Sequence, residues 1–294
     1  MKIGVTFPQT EIGADPVVLR DYTQAAESLG YSYVLAYDHV LGAQPGNRPA
    51  GWRGVYNHET SFHEPFTLFS YLAGVTESIE FVTGIIILPQ RQTALVAKQA
   101  AEVDLLSGGR LRVGVALGWN MVEYEALNQD FSTRGRRISE QIEVMRLLWT
   151  NELVDYSGKW HRLDRVAIKP LPVQRPIPVW IGGMSEVVLK RLARIGDGWF
   201  PQFNPIDASS KDTVGRLHGY IRAAGRKIED VGIDGRVNMG NSNPEDWAAA
   251  LEAWRDLGAT HVGVNTMNSG QTSPRAHIEA IRRFKEAVGD LAKT

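Results

Sequence analysis

Hydrophobic positions along the chain follow two alternating rhythms: short β-branched runs, and longer segments with apolar residues at helical spacing. Repeated βα units produce this pattern. Ile3–Phe7 is a predicted first strand, followed by a helix from Pro16 to Leu29 with Asp15 as N-cap and Gly30 as stop. Tyr33–Tyr37 is the second strand and Pro65–Val75 the next helix. Phe81–Leu88 is continuously apolar, as expected of a strand buried on both faces. Ala94–Leu106 is helical, Leu111–Leu117 is the fourth strand, and Ile138–Trp149 is a strongly periodic helix. The series closes with strands at Pro178–Ile181, Gly198–Phe200, Val231–Val237 and His261–Asn265. Helices at Ser185–Ile195, Thr213–Ala224, Pro244–Leu257 and His277–Val288 follow them in turn.

Strand–helix pairs in this order predict an α/β fold, a (β/α)8 TIM barrel, as one domain over residues 1–294. A doubly wound sheet is the alternative, but no Gly-x-Gly-x-x-Gly follows the first strand. Two excursions break the rhythm. Residues 40–63, after strand two, are too long for an ordinary βα loop and predict a lid. Residues 150–178, after helix four, hold Tyr156-Ser157-Gly158-Lys159-Trp160, which reads as a hairpin turn, and then a Pro-rich stretch.

Composition narrows the chemistry. The 294 residues include no Cys, so disulfides, thiolate nucleophiles and Cys-ligated zinc are excluded. Lys and Arg number 32 against 33 Asp and Glu, without the basic excess that nucleic-acid binding needs. No apolar run is long enough to span a bilayer, and the apolar part of Met1–Pro8 is too short for a signal peptide. The expected location is the cytoplasm.

A barrel of this kind carries its chemistry at the C-terminal ends of its strands. Those ends here hold Asp38-His39, Thr83-Gly84-Ile85, Gly118-Trp119-Asn120 and Gly182-Gly183-Met184-Ser185. The double glycine before a helix suits either an anion site or a tight turn with a Ser cap. Gly84 marks either a close backbone approach or a small residue beneath a bulky neighbour. Asp38-His39 suits an acid/base pair or a structural hydrogen bond, and Trp119 and Trp199 suit ring stacking or plain packing. No Lys sits at a strand end, no His-x-His occurs, and the ring spacing of His58 and His63 does not suit a shared metal. A ring-bearing, phosphate-bearing cofactor of flavin type fits what is left.

Several segments together resemble the luciferase-like monooxygenase superfamily. They are Thr83-Gly84-Ile85-Ile86-Ile87-Leu88-Pro89, Ala97-Lys98-Gln99, Asp104 to Leu111, and Gly118-Trp119-Asn120 with Glu123-Tyr124. Pro178 to Gly183 and Gly196-Asp197-Gly198-Trp199 complete the set. The likeness runs from Met1 to about Phe200 and is greatest to the branch that uses the deazaflavin coenzyme F420. It implies hydride transfer between F420 and a small organic substrate. FMN is the alternative cofactor, in a monooxygenase supplied with reduced flavin by a partner reductase. A flavin-binding barrel without turnover is the reading from another class.

The resemblance also implies a non-prolyl cis peptide at Gly84–Ile85 behind the cofactor ring, with Asp38 and His39 at the ring and His39 near its reacting carbon. Leu117 and Gly118 correspond to contacts with the cofactor tail, and Gly182, Gly183 and Met184 to the phosphate turn. Thr83, Trp119, Asn120 and Trp199 complete the expected cofactor site, which holds no metal. A homodimer through Pro65–Val75 and Ala94–Leu106 is implied as well. One departure stands out: sugar-phosphate dehydrogenases of this branch carry a proton-transferring Glu where this chain has Trp119, and Trp cannot move a proton.

Overall fold

The computed structural model describes residues 1–48, 52, 54–240 and 242–289. Residues 49–51 and 53, within the segment expected to form a lid, residue 241 and residues 290–294 lie outside that description. The strands in chain order are β1 (Lys2–Thr6), β2 (Tyr33–Ala36), β3 (Glu80–Thr83), β4 (Ile86–Ile87) and β5 (Leu111–Ala116). They continue as β6 (Val154–Ser157), β7 (Arg162–Val166), β8 (Val179–Gly182), β9 (Gly198–Phe200), β10 (Gly232–Asn238) and β11 (His261–Asn265). The helices are α1 (Pro16–Ser28), α2 (Pro65–Ala73), α3 (Thr93–Leu106), α4 (Met121–Ala126), α5 (Arg134–Thr150), α6 (Glu186–Ile195), α7 (Ala208–Ala223), α8 (Pro244–Asp256) and α9 (Pro274–Val288).

Among the described residues the strands close into a parallel barrel of eight, with β3 and β4 counting as one interrupted strand. β1 pairs with β11 (Val5↔Val264) and β3 with β5 (Phe81↔Leu111), which joins the two ends of the sheet. Helices cover the outside and bury the apolar stripes read from the sequence. Local chemistry fixes their starts. Asp15 accepts from the amide of Val17 ahead of α1, and Asn243 and Asp246 cap each other's amides ahead of α8. α7 begins at Ala208, ahead of the predicted Thr213, because Asp207 and Ser210 form a capping box in a polar stretch with no apolar period.

The predicted third strand, Phe81–Leu88, is broken at Gly84–Ile85, where the peptide bond is cis. Thr83 supports the break. Its hydroxyl donates to the carbonyl of Gly114 and accepts from the amide of the same residue, both at 2.8 Å. A side chain thus takes over ladder bonds that backbone would otherwise make. The second excursion contains an antiparallel hairpin, β6 with β7, whose tip closes through Gly158 N–H to the His161 carbonyl at 2.8 Å. Glu140 on α5 clasps that tip, accepting from the amides of Lys159, Trp160 and His161 and from His161 Nδ1.

Inside the barrel, the guanidinium of Arg112 lies over Trp180 (4.2 Å to the ring centroid) and Tyr33 (4.8 Å). Its charge is met by Asp234 at 3.2 Å, and Asp234 also accepts from the Tyr33 hydroxyl at 2.6 Å. This buried layer floors the space above it. No described helix is long and apolar enough to cross a membrane.

Candidate active site

A cavity of about 420 Å³ opens at the C-terminal ends of the barrel strands. Asp38, His39, Gly84, Ile85, Leu117, Gly118, Trp119, Gly182, Gly183 and Met184 all line it, so most of the residues singled out in the sequence meet there. Thr83, Asn120 and Trp199 do not. Thr83 is spent on the strand break, and Asn120 is buried at the start of α4. Trp199 is buried and donates from Nε1 to the Gly183 carbonyl at 2.8 Å, which fixes the glycine turn from behind.

Each wall has a local cause. On one side a Cβ at Gly84 would fall 2.2 Å from Leu35 Cδ2, so only glycine fits without moving the β2 side chain. One strand further along the barrel, beyond β5, the chain leaves β8 through Gly182 and Gly183, the latter at φ +125°, and enters α6 at Ser185. With no side chain at either glycine, backbone amides and the positive end of α6 border the cavity directly. A Cβ at Gly182 would press against Ala116 and Ile85, each 3.4 Å away.

Asp38 and His39 are adjacent in sequence, but their side chains have different partners. Asp38 accepts from Arg91 Nη2 at 2.7 Å and from the amide of Ile87 at 3.1 Å, on the far side of the cis bond. Arg91 in turn reaches Glu64 at 3.1 Å. Burial pushes the Asp38 carboxyl above its ordinary value, although Arg91 and the Ile87 amide oppose it. Asp38 therefore anchors the interrupted strand.

His39 has Glu123 as its partner. Nδ1 lies 3.0 Å from Glu123 Oε2, and the two side chains are 9% and 0% exposed. The other oxygen of Glu123 accepts from the amides of Val40 (2.5 Å) and Leu41 (3.2 Å). Burial alone would raise the Glu123 carboxyl. The hydrogen bond and charge of His39, with the two amides, outweigh burial and hold the carboxyl below its ordinary value. An ionised Glu123 only accepts, so Nδ1 carries the proton and Nε2 is the acceptor in the neutral ring. Phe62, Tyr56 and Trp119 surround the imidazole at centroid distances of 4.9, 5.4 and 5.6 Å.

Glu123 lies within a sequence motif that assigns it no role, and Arg91, Asp234 and Arg236 lie outside the motifs. Glu123 lies in the first turn of the short helix α4, which has no apolar period to announce it. Asp234 and Arg236 did leave a signal: two charged residues, two apart and so on one face, within a single strand.

With this geometry in place, the comparison with known proteins is specific. Residues 1–291 match the family model for luciferase-like monooxygenases. The chain belongs to the luciferase-like monooxygenase family, whose members are oxidoreductases and monooxygenases. It is 35% identical over 249 residues to an uncharacterized protein of Mycobacterium tuberculosis, covering 82% of this chain and 85% of that one. It is 29% identical over 262 residues to an FMNH2-dependent dimethylsulfone monooxygenase of Pseudomonas putida, covering 87% and 68%. Its fold is similar to that of an F420-dependent secondary alcohol dehydrogenase, with TM-score 0.80 at 16% identity over 98% and 99% of the two chains.

Proposed function

We propose that the protein is an oxidoreductase that moves a hydride between coenzyme F420 and a small organic substrate in the cavity at the barrel mouth. The observation that carries this reading is that side-chain-free backbone at Gly84 and at the Gly182–Gly183 turn borders one cavity that His39 also lines. A flat ring with a phosphate tail suits such a space. The deazaflavin supplies the two-electron chemistry when bound.

The chain's own residues would do the rest. Gly182, Gly183 and Met184 hold the phosphate end with backbone amides, and Ile85 and Ile87 present an apolar surface to the ring. Leu117, Gly118 and Trp119 line the side next to His39. His39 holds or moves a proton at Nε2, while Glu123 keeps the imidazole in one tautomer. Tyr56 and Phe62, from the long segment after β2, pack on the ring and exclude water, the role of a lid. A homodimer through α2 and α3 belongs to the same reading; Tyr71, Leu95 and Leu106 are exposed there.

The second reading, an FMN-dependent monooxygenase fed by a reductase, is supported by the FMNH2-dependent relative. Anaerobic titration separates the two. Binding of F420 with Kd below about 100 μM, tighter than that of reduced FMN, supports the first. Oxygen consumption with reduced FMN in the absence of F420 binding favours the second. If neither cofactor binds more tightly than about 100 μM, both readings fall.

A further inference from the structure

The β10 wall of the cavity carries a charge for which the reading above has no use. Asp234 and Arg236 are two residues apart on the same strand and both line the cavity, as side chains on one face of a strand should. Asp234 is committed to Arg112 and Tyr33 in the barrel floor. Asp38, the other carboxylate on the cavity wall, is committed to Arg91, and Glu123 behind the wall to His39. Arg236 is the exception. Among the described residues its guanidinium makes no ion pair and no hydrogen bond, and it lies 5.2 Å from the centroid of the Tyr37 ring. Arg236 is therefore the guanidinium at the cavity with no carboxylate bound to it among the described residues.

We propose that Arg236 is the docking cation for the substrate, and that the substrates are organic monoanions, carboxylates on an apolar or aromatic body. The proposal rests on the reading of this cavity as the reaction site. A guanidinium presents paired N–H groups that match a carboxylate bidentately, and the match gains strength in a partly enclosed space. A neutral ligand of the same shape strips water from Arg236 and returns no counter-charge. The body of the ligand meets Tyr37, Tyr56, Trp119 and Phe200, all on the cavity wall. The glycine turn that suits a cofactor phosphate leaves β8, and β9 separates that strand from β10. The two anion positions are thus on different walls.

The test uses the full chain, with benzoate and its neutral isostere benzamide as probes and calorimetry as the readout. The wild type is expected to bind benzoate at least about tenfold more tightly than benzamide. Arg236→Met should erase that preference and Arg236→Lys should keep part of it. Both should bind F420 and reduced FMN within about threefold of wild type. Equal affinity for benzoate and benzamide in the wild type overturns the proposal. So does an Arg236→Met protein that keeps benzoate but loses the cofactors about tenfold, because the cation then serves the cofactor phosphate. Should Arg236→Met fail to fold by circular dichroism, Arg236→Lys decides against Arg236→Gln on the same readout. Absence of cofactor binding with the benzoate preference intact removes the F420 and FMN readings and leaves the anion site standing.

Discussion

Glu123 reaches from the first turn of α4 to His39 at the end of β2 and meets its Nδ1 at 3.0 Å. The same carboxylate ties down the amides of Val40 and Leu41, where the long segment begins. One side chain thus orients the imidazole and fixes the root of the segment that packs over it. Glu123→Gln should lower kcat by about tenfold to a hundredfold, as loss of the required tautomer would. Cofactor affinity should shift less than about threefold. A large loss of cofactor affinity with kcat retained would show that Glu123 shapes the binding site instead.

The same residue should leave a trace in acid stability. Its folded pKa lies below its ordinary value, so the unfolded chain takes up the proton first. The stabilisation is complete above the unfolded value and is lost as pH falls through the folded one. Urea denaturation should therefore find the wild type's advantage over Glu123→Gln greatest near about pH 7 and shrinking toward about pH 3. Titrations of groups remote from residue 123 cancel in the difference. An advantage constant with pH would argue against an ionised Glu123.

Asp38→Asn removes the charged partner of Arg91 and weakens the hold on the Ile87 amide. Arg91 keeps Glu64, so the loss should be about 2–3 kcal/mol, below that for a fully orphaned buried charge. Denaturation midpoint and cofactor affinity should fall together. Unchanged stability with abolished turnover would give Asp38 a direct part in the chemistry.

Thr83→Val keeps the shape and deletes both hydrogen bonds to Gly114, leaving a buried amide and carbonyl unpaired. A loss of about 1–3 kcal/mol is expected in urea denaturation. Ligand binding by the folded fraction should remain close to wild type, because Thr83 does not reach the cavity.

Gly84→Ala forces a Cβ into Leu35, and overpacking of this kind costs about 1–3 kcal/mol. Coupling identifies the cause. Leu35→Ala should destabilise a Gly84→Ala background less than it destabilises the wild type. Additive effects in a double-mutant cycle would place the strain elsewhere.

Much of the fold was readable in the chain because its local signals agree: Asp15 and Gly30 bracket α1, and Pro244 opens α8 behind an Asn cap. The glycines of the site were readable for a related reason, since backbone that must approach a ligand excludes side chains. Partnerships were hidden. Nothing in the dipeptide Asp38-His39 says that one member turns to Arg91 and the other to Glu123. Those partners come from separate elements, brought near only by barrel closure. Thr83 and Trp199 resembled ligand contacts because they lie within the motifs, yet each acts on backbone behind the wall. α4 has too few residues to show a helical period, so the carboxylate it carries went without a role.

The interrupted strand has one further consequence. On its first half Val82 pairs with Arg112, but on its second half Ile86 pairs with Val115, so β3–β4 contains one residue more than the stretch of β5 it faces. That surplus inverts the phase of the strand. Even-numbered residues look toward the axis as far as Gly84, and odd-numbered ones do so from Ile85 to Ile87. Ile86 and Leu88 join Phe81 in the layer beneath the helices. Were the junction regular at its present length, the two populations would exchange, turning the outer packing layer toward the ligand and the cavity wall toward the helices; deleting a single residue would instead remove the surplus and leave Ile86 facing the helices.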